Sequence, residues 1–217
     1  MATRVLVASA AVDRLAELGM TVELIERVVR RADAEASMCT KLDPPIMEGL
    51  TRWARMNRFL REELVPAGWW FDNPRNLPRT IHPSGVFAIV AATGDELTGF
   101  ANLLPATKYL KGDATVQAVA INEQLTLDFG NFGPGLDDSR AEGPGDVLTW
   151  LLLFHIDEER FRVELSLPDA IIDGRITSWA ERIILPVFPR DDNRLTSLMT
   201  PGGNDLDEDV VVEVTRR

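Results

Sequence analysis

The sequence predicts an α+β fold in which N-terminal helices pack on a mainly antiparallel β-sheet of about five strands. Three observations carry this. Apolar residues in the first third recur at helical spacing, as in Leu24, Ile25, Val28, Val29 and Ala32. Residues 149–168, TWLLLFHIDEERFRVELSLP, read as a β-hairpin whose register can be deduced. Turn-rich Gly, Pro and Asp clusters punctuate the rest. The chain divides into a helical segment, 1–67, and a mainly β region, 68–217, with no linker between them, and the two are expected to form one compact domain.

The elements follow in order. Residues 9–18 are rich in Ala and Leu and end at Gly19, a residue suited to the position after a helix. Thr21 can cap a second helix, and Glu23 in its first turn complements the helix dipole. Asp43-Pro44-Pro45 reads as the start of a third, with Asp as cap and Pro tolerated in the first turn. Its apolar side is Ile46, Met47, Leu50, Trp53 and Leu60; its basic side is Arg52, Arg55, Arg58 and Arg61. In 68–85, Pro74, Pro78 and Pro83 forbid a helix or a central strand and leave an extended connector. Residues 86–92 form an apolar strand closed by the turn 93–96. Residues 113–125 fit a helix capped by Asp113 slightly better than a strand. Residues 130–146 are a Gly/Pro/acidic loop, and 191–209 a second acidic loop. Asp173-Gly174 is a turn leading into a third strand of the sheet at 176–185, and 210–214 is a closing strand. The helices are expected on one face of the sheet.

The hairpin is the most specific of these readings. With 157–160 as the turn, Ile156 pairs with Phe161, Phe154 with Val163, Leu152 with Leu165 and Trp150 with Leu167, all apolar. The other face pairs Asp157 with Arg160, His155 with Arg162, Leu153 with Glu164 and Leu151 with Ser166. A one-residue slip would scramble both faces, so the pattern fixes the pairing. The polar face is expected to meet solvent.

Composition narrows the function classes. The 217 residues carry a net charge of -11, which disfavours direct nucleic-acid binding and attraction to an anionic membrane. No window approaches the roughly 20 apolar residues of a membrane span. One cysteine, Cys39, cannot form an internal disulfide, and a cytoplasmic setting is the natural expectation. Lysine occurs only at 41, 108 and 111 among 23 basic residues, a bias that points to a GC-rich bacterial or phage genome.

Two constellations could carry chemistry. His155, Asp157 and Glu164, with Glu158 and Glu159 at the turn, supply the groups of a small hydrolase or nuclease. No second histidine is near, no metal-ligand spacing is matched and the lysine of a nuclease hairpin is missing, so neither metal nor cofactor is expected. The connector residues Asn73, Arg75, Asn76, Arg79 and His82, joined by Lys108 and Lys111, could grip an anion or tie down backbone carbonyls. Trp69-Trp70 is a possible interface anchor, because neighbours in an extended segment face opposite ways. The Gly-x-x-x-x-Gly-Lys and Gly-x-Ser-x-Gly motifs are absent.

The leading expectation is a non-enzymatic protein that binds a protein partner, with an oligomeric state the sequence leaves open. A His/carboxylate hydrolase is the alternative. A third reading is a phage or mobile-element inhibitor presenting an acidic decoy surface through Asp137, Asp138, Asp205, Asp207 and Glu208.

Overall fold

The computed structural model describes residues 3–129 and 147–190. The described elements run β1 (Arg4–Leu6), α1 (Ala8–Glu17), α2 (Val22–Ala36), α3 (Met47–Leu64), β2 (Trp70–Asp72), β3 (Arg79–Ile81), β4 (Phe87–Thr93), α4 (Asp113–Phe129), β5 (Leu148–Ile156), β6 (Arg160–Ile172), β7 (Arg175–Ile184) and β8 (Phe188–Pro189). The α+β class holds. None of the described helices is long and apolar enough to cross a membrane.

Local signals account for the helix ends. The Thr21 hydroxyl accepts from the Leu24 N–H at 3.2 Å, so α2 starts where the sequence indicates. Gly19 takes the left-handed conformation that lets the chain leave α1, with φ +71°. The third helix begins at Met47, not at Asp43. The Asp43 carboxylate is consumed within the preceding turn, accepting from the Thr40 N–H at 2.7 Å, so it does not cap α3. Residues 113–125 lie in helix α4.

The sheet departs from the sequence reading in size and direction. It has eight described strands in the order β1-β7-β6-β5-β4-β3-β2, with β8 on β6, and it is mixed. Strand β1 runs parallel to β7, and β4 parallel to β5; the other pairings are antiparallel. The parallel β4–β5 pair follows from its long connection, which carries α4. Strands β1, β2, β3 and β8 hold only two or three residues each, too few to show a period in the sequence. Two of them, β2 and β3, fall in the proline-rich connector but between its prolines: β2 is the edge strand, β3 pairs with both β2 and β4, and neither contains Pro74, Pro78 or Pro83.

The hairpin register is as deduced from Leu151↔Ser166 to Ile156↔Phe161. One face of the sheet packs Trp150, Leu152, Phe154, Val163 and Leu165 beneath α1, α2 and α3. The opposite face is not open to solvent. Helix α4 covers it, with Ala118 and Val119 against Val90, Leu151, Leu153 and Trp179. The helices therefore lie on both faces of the sheet, and on the hairpin's polar side Glu164 and Ser166 are buried while His155, Asp157 and Arg162 stay partly exposed.

Candidate functional site

The rest of that second face is covered by residues 94–112, which run from the end of β4 to the β6–β7 turn. Their path is set by backbone bonds. Asp95 closes a loop on Ala106: its N–H donates to the Ala106 carbonyl at 3.0 Å, while its carboxylate accepts from Leu97 N at 3.1 Å and Ala106 N at 2.9 Å. Thr107 exchanges bonds with Ile176, through its N–H to the Ile176 carbonyl at 3.0 Å and its hydroxyl from the Ile176 N–H at 3.2 Å. The Lys111 N–H donates to the Gly174 carbonyl at 2.8 Å, and the Trp179 indole N–H to the Pro105 carbonyl at 2.9 Å. Gly94 is required here, because a Cβ at that position would lie 2.1 Å from the Thr98 hydroxyl oxygen.

Beneath this segment sits a fully buried ion pair, Glu164–Arg182. Glu164 Oε2 accepts from Arg182 Nη2 at 2.6 Å and from the Gly99 N–H at 3.0 Å. Its Oε1 accepts from Arg182 Nε at 3.0 Å and from the Ser166 hydroxyl at 2.9 Å. The guanidinium donates onward to the carbonyls of Leu103 at 2.6 Å and Phe100 at 3.1 Å. A buried charge pair is tolerated only when its remaining donors and acceptors are engaged. Here they are engaged by the loop, so the pair clamps residues 99–103 to β6 and β7.

The side chains on the outside of the clamped loop are large and apolar. Leu104 is 60% exposed and Leu110 68%, and Phe100, Leu103 and Tyr109 are also exposed. Leu110 lies against Gly174 of the β6–β7 turn. Cations border the group: the Arg162 guanidinium stands 4.7 Å over the Phe100 ring, and the Lys108 amine 5.7 Å from the Tyr109 ring. Burial lowers the Lys111 amine to about 8.

The structure brings His155, Asp157 and Arg162 together at the end of the hairpin. Burial and then the Arg162 charge push the His155 imidazole below its ordinary value, outweighing the Gly94 backbone bond and Asp157, which act the other way. Burial would raise the Asp157 carboxyl, but the N–H groups of Glu159 and Arg160 hold it below the usual carboxylate range. These bonds, at 3.0 and 2.9 Å, make Asp157 the organiser of the turn. Glu164 is separated from them by burial, with both oxygens taken by Arg182, Ser166 and Gly99. Among the described residues no three His, Cys, Asp or Glu side chains form a group that could hold a metal ion.

The connector residues are engaged locally. Arg79 forms a two-pronged pair with Asp72 at 2.9 and 2.5 Å, Arg75 donates to the Gln117 side chain at 2.6 Å, and Asn73 accepts from Arg61 at 2.9 Å. His82 stacks on Phe87 with ring centroids 4.6 Å apart, and Trp69 meets both edge-on. Trp69 is buried in the core while Trp70 projects outward. Asp137, Asp138, Asp205, Asp207 and Glu208, together with the strand expected at 210–214, lie outside the described residues.

Sequence reasoning missed Arg182, Asp95 and the apolar rim. Arg182 left no distinctive signal, because it stands next to another charge in Glu181-Arg182, whereas Glu164 is a single charge in Val-Glu-Leu. No protein-family model, curated protein or solved structure matches this chain.

Proposed function

We propose that this chain is a non-enzymatic binding module that docks a protein partner on the outer rim of residues 94–112. The observation that supports this reading is the contrast between a fixed backbone and exposed apolar side chains. The loop is held by a buried ion pair and by bonds to β4 and β7, yet Leu104, Tyr109 and Leu110 face outward. Exposing several large apolar groups within one short segment is costly unless a partner covers them. The aromatic and long aliphatic anchors with bordering cations suit a protein interface centre. The net charge of -11 disfavours a polyanionic ligand.

The test is site-specific photocrosslinking in the native host. A photoreactive residue at Leu104 or Leu110 should trap the same protein, and Tyr109→Asp should abolish the adduct. A reactive residue at Val12, exposed on α1, serves as the control. Equal trapping from Val12, or none from the loop, would overturn the proposal.

A further inference from the structure

We infer that the tip of the α2–α3 hairpin is a two-fold self-association surface whose occupant is the same tip of a second copy of this chain. Its apolar content is high. Leu42 is 97% exposed and Met38 78%, and Ile46 and Leu50 continue the exposed series into α3. The four recur every fourth residue from 38 to 50. Next to them, Gly49 has no atom within 4 Å of where a Cβ would stand, so the surface there is open. The connection also borders a shallow hollow of about 620 Å³ lined in part by Cys39, Lys41, Asp43 and Glu48. One tip thus offers both a protrusion and a recess, which a two-fold axis can match to each other.

The charges indicate the occupant. Along the stem of the hairpin the ion pairs close within the chain: Arg27 with Glu63, Arg31 and Arg58 with Glu62, Arg55 with Glu35, and Arg52 with Asp33 and Glu48. At the tip this pairing stops. Among the described residues neither Lys41 nor Asp43 has an ion-pair partner, and Asp43 is pinned by the Thr40 N–H and hydroxyl. The tip thus carries one unmatched cation and one unmatched anion, two positions apart. A two-fold axis sets Lys41 of each copy against Asp43 of the other and satisfies both charges at once. A second copy brings that complement by symmetry, whereas an unrelated partner need not. Two molecules of net charge -11 repel, and a locally balanced apolar tip is a place where they can approach.

Sedimentation equilibrium of the full chain from about 1 to about 300 µM tests this, because a small interface of this kind gives micromolar affinity. The expected result is a doubling of mass. Leu42→Asp and Ile46→Asp should each weaken it more than about tenfold, a loss of about 1.4 kcal/mol, with circular dichroism and the urea midpoint unchanged. Lys41→Asp should weaken it likewise, and Lys41→Arg should retain it. Leu104→Asp should leave the dimer intact, which separates this surface from the one assigned to the protein partner. A monomer throughout the range, a dimer indifferent to Leu42→Asp and Ile46→Asp, or a tip that crosslinks only to a different protein would overturn the inference.

Discussion

Asn122 makes with Thr149 the bonds that the strand pairing cannot. Its Oδ1 accepts from the Thr149 N–H at 2.8 Å, and its Nδ2 donates to the Thr149 carbonyl at 2.9 Å and to the Pro168 carbonyl at 3.0 Å. The hairpin register continued two more pairs beyond Leu151↔Ser166 would set Thr149 against Pro168, and proline has no N–H to donate. A side chain from α4 therefore completes the ladder where β6 bulges away. Asn57 and Trp53 of α3 do the same for Ala91, at 3.0 Å each, beyond the end of the β3–β4 pairing.

Replacing Asn122 by Leu should accordingly cost about 2–5 kcal/mol, because it orphans buried backbone groups of two strands. Urea unfolding of the variant measures it. A loss under about 1 kcal/mol would mean that the ladder needs no help from the helix.

Breaking the buried pair should act on the loop as well as on stability. Arg182→Met leaves Glu164 charged without its partner and frees the Phe100 and Leu103 carbonyls. The expected cost is about 3–5 kcal/mol. Hydrogen exchange should rise at Gly99, whose N–H depends on Glu164. Glu164→Gln combined with Arg182→Met removes the lone charge and should recover part of the loss. No recovery would show that the loop carbonyls, not the isolated carboxylate, dominate.

His155 gives the fold a dependence on pH. Burial and Arg162 lower its folded value below the unfolded one, near 6.5. Between those two values the unfolded chain binds more protons, so stability is fully present above about 6.5 and declines as pH falls towards the folded value. Thermal unfolding followed from pH 7.5 to pH 5 should show that decline, and His155→Gln should flatten it. An unchanged slope in the variant would assign the effect to other groups.

Lys111 acts in the alkaline range. Its amine falls from the ordinary 10.5 to about 8 on folding. The cost of holding it charged is therefore complete below about pH 8 and is relieved as pH rises towards 10.5. Lys111→Met should stabilise the protein at pH 7 by about 1–3 kcal/mol and make it insensitive to this rise. A destabilised variant would show that the amine makes a contact that outweighs its burial.

Periodicity determined the parts of this protein that have a strong local signature. The buried stripe of α2, its Thr21 cap and the hairpin pairing from Leu151 to Ile156 all follow from residues close in sequence. Alternation over eight or more residues admits only one register that keeps Leu152, Phe154, Val163 and Leu165 on a single face. Strands β1, β2, β3 and β8 left no comparable mark, since two or three residues cannot display a period and their pairing depends on distant segments.

The candidate site was legible only in fragments. His155, Arg162, Asp157 and Glu164 stand out as polar residues along the hairpin, but a strand's sequence states which residues share a face, not what lies over that face. That depends on where α4 and residues 94–112 come to rest, and so on packing across long sequence separations. Arg182 and Glu164 are eighteen residues apart, and the Leu103 carbonyl that completes their network is 79 residues from Arg182. Once the second face is covered, Glu164 changes from solvated surface to buried clamp while His155, Asp157 and Arg162 stay partly exposed, and the apolar side chains of the covering loop become the exposed surface. Alternation along a strand states which residues share a face; packing between distant segments sets which face meets water, because burial is a property of the whole fold.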